Sequence, residues 1–290
     1  MPAIKKEIEK AKILNEALPY IKKFQGKTIV IKYGGSIMND EHLRNIFAED
    51  IVLLKLVGIN PIIVHGGGKE ISRWMEKIGK QAKFIEGLRY TDEETMEVTE
   101  MVLSGKLNRE LVSLINRMGG QAVGLSGKDA SLFSSVKIKS EKGEDLGLVG
   151  EIDHCDCKLI NLLSSSGYIP VISCISENLD GDTLNLNADH VAAAIGGALK
   201  ALKLLYLTDV DGIVVEKKLI QELSVFDAQE LLKHPEISGG MLPKLRYSID
   251  AIKSGVDHVQ MINGTVEHAV LLELFTDTGI GTKISYNKRQ

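Results

Sequence analysis

The feature that most constrains this chain is a repeated order: a short β-rich run, a turn rich in glycine or acidic residues, then a helical pattern. Thr28-Ile29-Val30-Ile31-Lys32-Tyr33 runs into Gly34-Gly35-Ser36, and Pro61-Ile62-Ile63-Val64 into His65-Gly66-Gly67-Gly68. Gly124-Leu125 passes into Ser126-Gly127, and Leu204-Leu205-Tyr206-Leu207 into Thr208-Asp209-Val210-Asp211-Gly212. Runs without polar alternation suit strands covered on both faces, and helices between strands make neighbouring strands parallel. The expected fold class is α/β, a three-layer αβα sandwich with a largely parallel, open central sheet.

Strands are expected at 28–33, 61–64, 121–125, 132–139, 168–174, 204–207, 258–261 and near 282–285, with a polar hairpin tip at 141–147. Helices are expected at 40–57, 69–78, 159–166, 188–199, 242–254 and 266–274. A longer helix, 91–117, has Thr91 as its cap and Glu94 three residues on, the pattern of a capping box. Ahead of the first strand, Ile4, Ile8, Ala11, Leu14, Leu18 and Ile21 fall at spacings of three and four, one apolar stripe on a helix. Pro19 lies inside that stripe and should kink or restart the helix. No repeat, low-complexity segment or long linker divides the 290 residues. One continuous sheet with two functional lobes, joined near residue 176, is expected.

Composition narrows the function. Net charge is −4, and no basic block is longer than a pair such as Lys5-Lys6 or Lys22-Lys23. A surface that neutralises nucleic acid normally shows a basic excess, so nucleic acid is not the expected partner. No run of about 18 apolar residues offers a membrane span, and the N-terminus is too charged for a secretory signal. The three cysteines form no disulfide framework, and a reducing cytoplasm is the expected location. His154-Cys155-Asp156-Cys157 looks like half of a zinc site, but a closed site needs about four ligands and no second pair follows. A strand-to-helix turn capped by Asp153 or Asp156 is the plainer expectation.

In open α/β sheets ligands bind beyond the C-terminal ends of strands, where the glycine turns of this chain cluster. Neither G-x-x-x-x-G-K-[ST] nor G-x-G-x-x-G is present, which excludes a P-loop and argues against a dinucleotide site. Exposed N–H groups at such turns still suit an anion. Lys32 stands inside an apolar strand just before two glycines, either an edge lysine reaching solvent or a charge aimed at that anion. Lys244 lies near a helix start, where a cation is unfavourable without an anion close by. Asn187 suits a helix cap, and Asn185 and Asp189 beside it call for another explanation.

Together, Ile31-Lys32-Tyr33-Gly34-Gly35-Ser36, Val64-His65-Gly66-Gly67-Gly68, Gly87-Leu88-Arg89, Asn185-Leu186-Asn187-Ala188-Asp189, Thr208-Asp209-Val210-Asp211-Gly212 and Gly240-Met241 with Lys244 resemble the amino acid kinase family. The resemblance runs from about residue 26 to 286. Tyr33 stands where leucine or phenylalanine is commoner, an apolar swap that should leave the chemistry alone. Within the family the set is similar to members that phosphorylate the γ-carboxylate of N-acetyl-L-glutamate in arginine biosynthesis. Aspartate, glutamate or carbamate are the rival acceptors. Gly87-Leu88-Arg89 and the intact Asn185 to Asp189 motif favour N-acetyl-L-glutamate, while a non-catalytic sensor would have lost Lys32, Lys244 or Asp189.

The resemblance implies a division of labour. Residues 26–176 would bind N-acetyl-L-glutamate and dimerise, residues 177–290 would bind ATP, and residues 1–25 would form a kinked interaction helix. Lys32, Lys244 and Asp189 would be catalytic, with Asp189 holding both lysines. Gly67 and Gly68 would meet the acceptor's γ-carboxylate, Arg89 its α-carboxylate, Asn185 that α-carboxylate or the acetamido group, and Asn187 would also belong to the substrate site. Gly34 and Gly35 would face the transferring phosphoryl group, and Thr208, Asp209, Asp211, Gly212, Ser238, Gly240 and Met241 would hold ATP. Mg²⁺ would be held mainly through phosphates, with no protein ligand. The N-terminal helix and the C-terminal stretch resemble the type inhibited by L-arginine, a hexamer built as a trimer of dimers. L-Arginine would then sit near Tyr20, Lys203, His268, Glu273 and Gly281. A PII-type signalling protein is a partner the resemblance allows, with no motif here in its support.

Overall fold

The computed structural model describes residues 2–277 and 279–287. The chain opens with α1 (Pro2–Phe24), β1 (Thr28–Tyr33), a 3-10 turn (Ser36–Asn39) and α2 (Glu41–Leu56). β2 (Asn60–His65) leads to α3 (Gly68–Lys77) and a small ribbon of β3 (Phe84–Ile85) and β4 (Leu88–Arg89). Next come α4 (Glu93–Glu100), a π-helical stretch (Met101–Leu107), α5 (Asn108–Arg117), β5 (Ala122–Leu125), β6 (Phe133–Lys139) and β7 (Asp145–Cys155). α6 (Lys158–Ser165), β8 (Ile169–Ser173), β9 (Ile175–Glu177), β10 (Thr183–Leu186) and α7 (Ala188–Ala198) follow. The rest holds β11 (Lys203–Thr208), a ribbon of β12 (Val214–Val215) and β13 (Lys218–Leu219), β14 (Glu222–Ser224) and α8 (Val225–Leu231). α9 (Met241–Lys253), β15 (His258–Asn263), α10 (Ala269–Phe275) and β16 (Thr282–Ser285) close the chain.

Eight strands form the main sheet in the order β14-β16-β15-β11-β1-β2-β8-β5. Only β15 and β16 pair antiparallel; every other neighbour in that sheet is parallel. The sheet is covered on both faces because its strands alternate between two cores. Val30 joins one apolar cluster with α7 and α9, while Ile29 and Ile31 join the other with α2, α5 and α10. That is the three-layer αβα arrangement. β1 lies in the middle, with Lys32 in register with Tyr206 on one side and Val64 on the other. The edge-strand explanation of Lys32 therefore fails.

Several expectations need correction. The sheet is not one continuous surface: β6, β7, β9 and β10 close into a separate four-stranded barrel. The hairpin tip ends at Glu144, and residues 145–155 form the long strand β7 that pairs antiparallel with β6. Residues 91–117 are not one α-helix, since the π-helical stretch divides it. Its cap is Asp92, whose Oδ1 accepts from Thr95 N at 2.9 Å, while Thr91 is buried and donates to the Arg89 carbonyl. Glu94 pairs with Lys80 at 2.7 Å instead of closing a capping box. The last helix begins at Ala269, preceded by His268 in a left-handed conformation (φ 55°). α8, unforeseen, starts with a capping box between Ser224 and Asp227. Before α6 Asp156 accepts from Lys158 N at 3.0 Å, while Cys157 holds the cap position without a side-chain capping bond.

α1 continues through Pro19 as one helix. Its C-terminal end touches the body, where Phe24 is buried and Tyr20 donates to Asp277 Oδ1 at 2.5 Å. Ile4, Ile8, Ile13, Leu14 and Leu18 are exposed. Tyr33 is no simple apolar swap: its ring stacks on Phe47 with centroids 4.3 Å apart, but its buried hydroxyl has no hydrogen-bond partner. No helix among the described residues is long and apolar enough to cross a membrane.

Candidate active site

The strand ends meet at one cleft of about 630 Å³. Lys32, Gly34, Gly35, Gly66, Gly67, Gly68, Arg89, Asn185, Asn187 and Asp189 line it. Three facts of the fold put them there. β1 and β2 are adjacent and parallel, so the turns after both open on the same side. α7 begins at Ala188 after β10 and carries Asp189 in its first turn. The β3–β4 ribbon lays Arg89 alongside α3, the helix that starts at Gly68.

Asp189 is the centre of charge. Its Oδ2 accepts from Lys244 Nζ at 2.5 Å, and its Oδ1 stands 3.2 Å from Lys32 Nζ as an ion pair. All three side chains are between 11% and 14% exposed, so water screens these contacts poorly. Burial alone would raise the Asp189 carboxyl, but the charges of Lys32 and Lys244 outweigh it and hold the group at about 2. Burial lowers the Lys244 ammonium, with Asp189 opposing that shift. Lys244 also lies 5.0 Å from the Tyr206 ring centroid, and the Tyr206 hydroxyl fixes the Asp189 carbonyl at 3.0 Å. The anion that excuses a lysine near a helix start is thus Asp189 itself.

Arg89 is buried and stacked over Phe84, with its Cζ 4.8 Å from the ring centroid. Its Nη2 donates to the Gly68 carbonyl and to Ser72 Oγ, both at 2.8 Å. Burial lowers its pKa, yet a guanidinium keeps its charge in a protein. Among the described residues, no carboxylate forms an ion pair with it. Lys32 and Lys244 thus share Asp189, while Arg89 makes no ion pair; Glu70, another carboxylate of the cleft wall and no more exposed than Lys32, is paired with Arg73 and Lys106.

The turns are shaped for close approach. Gly35 has φ 82°, and a Cβ there would come 2.5 Å from Asp209 Oδ1. That same oxygen accepts from Ser36 N at 2.8 Å and Ser36 Oγ at 2.7 Å, tying the turn after β1 to the turn after β11. Burial raises the Asp209 carboxyl, but the Ser36 donors and nearby lysines more than offset it, leaving it lowered. A Cβ on Gly67 would strike Leu107 Cδ1 at 2.4 Å and Leu103 Cδ2 at 2.5 Å, both from the π-helical stretch. Beneath this turn His65 is fully buried, and desolvation lowers it to about 4. Its Nδ1 faces the Gly66 carbonyl at 3.0 Å, so that nitrogen carries the hydrogen, and Nε2 accepts from Asn108 Nδ2 at 3.1 Å.

Asn187 is the cap of α7, its Oδ1 accepting from Asp189 N at 2.8 Å, and Asn185 Nδ2 donates to Thr91 Oγ1 at 3.3 Å. The residues expected to hold the nucleotide do not line the cleft. Asp209, Asp211, Ser238 and Gly240 are exposed around the end of β11 and the start of α9. Asp211 accepts from Asn263 Nδ2 at 2.8 Å, Thr208 Oγ1 bonds the Val210 carbonyl, and Met241 N reaches Ser238 O at 3.2 Å. Gly212 packs on Thr282.

The residues expected at an effector site are only partly gathered. Lys203 donates to Glu273 Oε1 at 2.6 Å and Gln260 Oε1 at 3.2 Å beside the Phe24 ring, and Gly281 (φ 87°) abuts the Met261 carbonyl. His268 turns the other way, its Nδ1 2.7 Å from Asp50 Oδ1 on α2. The sequence reading passed over Ser36, Ser72 and Phe84, which fix Asp209 and Arg89. Ser36 sits inside a quoted motif, whereas Ser72 and Phe84 carry no signal of their own.

Comparison with known proteins agrees with this geometry. The sequence profile of the amino acid kinase family matches residues 27–263. An acetylglutamate kinase from Syntrophobacter fumaroxidans is 50% identical over 292 aligned residues, covering 97% of this chain and 98% of that protein. Among solved structures, N-acetylglutamate synthase from Neisseria gonorrhoeae complexed with coenzyme A and N-acetyl-glutamate superposes with a TM-score of 0.85 at 28% identity. The alignment covers 96% of this chain and 64% of that longer one. The synthase from that organism complexed with coenzyme A and L-arginine gives 0.82 at 27% identity, covering 96% of this chain and 65% of its own. With a profile matched over most of its length and a full-length relative at half identity, the chain belongs to the amino acid kinase family.

Proposed function

We propose that this chain transfers the γ-phosphoryl group of ATP to the γ-carboxylate of N-acetyl-L-glutamate, as the name of its half-identical relative indicates for that protein. The observation that carries the reading is the placing of cations at the cleft, with Lys32 and Lys244 sharing the single carboxylate of Asp189 and Arg89 without a carboxylate partner. Such a site binds anions, and both substrates are anions. A carboxylate nucleophile is ionised at neutral pH, so no general base is needed. The work left to the protein is alignment and neutralisation of charge on the transferring group.

In this mechanism Asp189 aims Lys32 from β1 and Lys244 from α9 at the phosphoryl oxygens. The peptide N–H groups of Gly67 and Gly68 at the start of α3 receive the γ-carboxylate, where the helix dipole favours an anion. Arg89, held flat by Phe84 and Ser72, takes the α-carboxylate through its planar fork. Asn185 and Asn187 lie beside the acceptor, and Gly34 and Gly35 face the phosphoryl group. Thr208, Asp209, Asp211, Gly212, Ser238, Gly240 and Met241 surround ATP, so residues 26–176 serve the acceptor and 177–290 the nucleotide. Mg²⁺ would be carried mainly by phosphates and water. When bound, that ion neutralises phosphate charge.

A regulated assembly completes the proposal. The exposed stripe of α1 suits packing against another subunit, in a hexamer of three dimers. L-Arginine would enter near Tyr20, Lys203, Glu273 and Gly281, its guanidinium on Glu273 and its carboxylate on Lys203, with His268 at the far end of α10. A coupled assay with ATP and N-acetylglutamate, set beside glutamate, aspartate and carbamate, tests the activity; turnover of another acceptor in preference would refute it. Light scattering and an arginine titration on the full chain and on a form starting at Gln25 test the assembly. The short form should be an active dimer with weak arginine inhibition. A full-length dimer indifferent to millimolar arginine would overturn that part.

A further inference from the structure

Cys155 and Cys157 take no part in the chemistry above. Cys155 ends β7, Cys157 stands directly before α6, and their Sγ atoms lie 3.5 Å apart in an S–H···S contact. Cys155 is half-buried and Cys157 is buried. The backbone between them is pinned, with Asp156 N donating to the Leu132 carbonyl at 2.8 Å and Asp156 Oδ1 accepting from Lys158 N at 3.0 Å. A disulfide needs its sulfurs about 2 Å apart. From 3.5 Å the remaining approach is about 1.5 Å. Among the described residues no third His, Cys, Asp or Glu joins the pair to make a metal site. What the geometry offers is a dithiol.

The two sulfurs are not equivalent. The contact with Cys155 lowers the Cys157 thiol, against the opposing effects of burial and Asp156. The N-terminus of α6 favours a thiolate at the same position. Cys155 is raised by that same contact and by burial, so it keeps its proton. One member is set to be the nucleophile and its neighbour to resolve the product.

We propose that Cys155 and Cys157 form an oxidisable dithiol that closes to an intramolecular disulfide in the presence of a hydroperoxide. The Cys157 thiolate attacks one oxygen of hydrogen peroxide, the O–O bond breaks, and hydroxide leaves, so sulfur is oxidised to a sulfenic acid and peroxide reduced. The Cys155 sulfur then attacks the Cys157 sulfur, the S–OH bond breaks, and the oxygen departs as water with the Cys155 proton. The dithiol loses two electrons and the peroxide becomes two waters. An external dithiol reverses the change by exchange. Cys174 is the internal reference: it is fully buried, donates to the His65 carbonyl at 3.3 Å, and burial pushes its thiol up.

The test uses the native full-length chain, treated with hydrogen peroxide, then unfolded in denaturant, alkylated with iodoacetamide and mapped by mass spectrometry. Two of the three thiols should vanish together, and the peptide holding both should be lighter than its reduced form by about 2 Da. Dithiothreitol should restore it, and Cys174 should stay alkylatable. Cys155→Ser should stop at a Cys157 sulfenic acid that dimedone traps, while Cys157→Ser should leave Cys155 unreacted over the same period. Phenylarsine oxide, which bridges paired thiols, should bind the wild-type chain and neither variant. Sulfinic acid on one cysteine with the other free, Cys174 reacting at the same rate, or no thiol loss in the wild-type chain would each overturn the proposal.

Discussion

Replacing Asp189 by asparagine keeps its shape and removes the one buried anion that Lys32 and Lys244 share. At distances of 3.2 and 2.5 Å, attraction at an effective dielectric near 20 is about 5 and about 7 kcal/mol. The net cost is smaller, because a stranded lysine can give up its proton. From an ordinary pKa near 10.4 that costs about 5 kcal/mol per lysine at pH 7, which caps what each can lose. Removing one partner of a buried pair costs about 3–5 kcal/mol by experience, in agreement with the cap. With an unfolding entropy of about 2.1 cal/mol/K per residue, 290 residues give about 0.6 kcal/mol/K, so Tm should fall by about 5–8 °C. In the variant the folded state holds a lysine with a depressed pKa, so its deficit is full at pH 7 and shrinks as pH rises towards 10. Denaturant melts of both proteins at pH 7 and 9.5 measure this. A deficit below about 1 kcal/mol, or one that pH leaves unchanged, would refute the account of Asp189 as a shared counter-charge.

Lys32→Ala should lower kcat by roughly a hundredfold, the scale for one preorganised charge-stabilising group, with a smaller effect on KM for acetylglutamate; steady-state kinetics decide it. Arg89→Lys keeps the charge but not the fork, so KM for acetylglutamate should rise strongly while KM for ATP stays nearly fixed, and joint movement of both would contradict the division into two lobes. His65, lowered from 6.5 to about 4 by burial, contributes its full stability above pH 6.5 and loses it as pH falls towards 4. The span is worth about 3 kcal/mol, so between pH 7 and 4 the unfolding free energy of the wild type should fall by about that much more than that of His65→Gln.

The main sheet was legible because its strands are buried on both faces and so show as unbroken apolar runs. The barrel was not. β7 has exposed and half-exposed residues along most of its length, Asp145, Glu151, Asp153 and His154 among them, and in sequence it looks like loop. β3 and β4 are two residues each, too short for any period to mark, yet they carry Arg89. The cap at Thr91 was misplaced by one residue because Thr91 and Asp92 are both good caps. Only the pairing of Thr91 with Gly147 in an isolated bridge takes Thr91 out of the contest.

The lysines show the limit more sharply. Each was visible as an oddity, one inside an apolar strand and one near a helix start, and each had a bland explanation. Sequence spacing does not reveal that they meet on the same carboxylate, for that depends on β1 lying beside β11 and on α7 packing against α9. Once it is known, the two oddities explain each other. The carboxylate makes both lysines tolerable, yet one negative charge is shared by two of them and Arg89 has no carboxylate of its own. The imbalance that Asp189 leaves unresolved, with Arg89 held open by Phe84 and Ser72, is met when an anionic ligand enters. Stability and ligand binding in this cleft are therefore coupled: anions should stabilise the folded chain most where Asp189 has been removed.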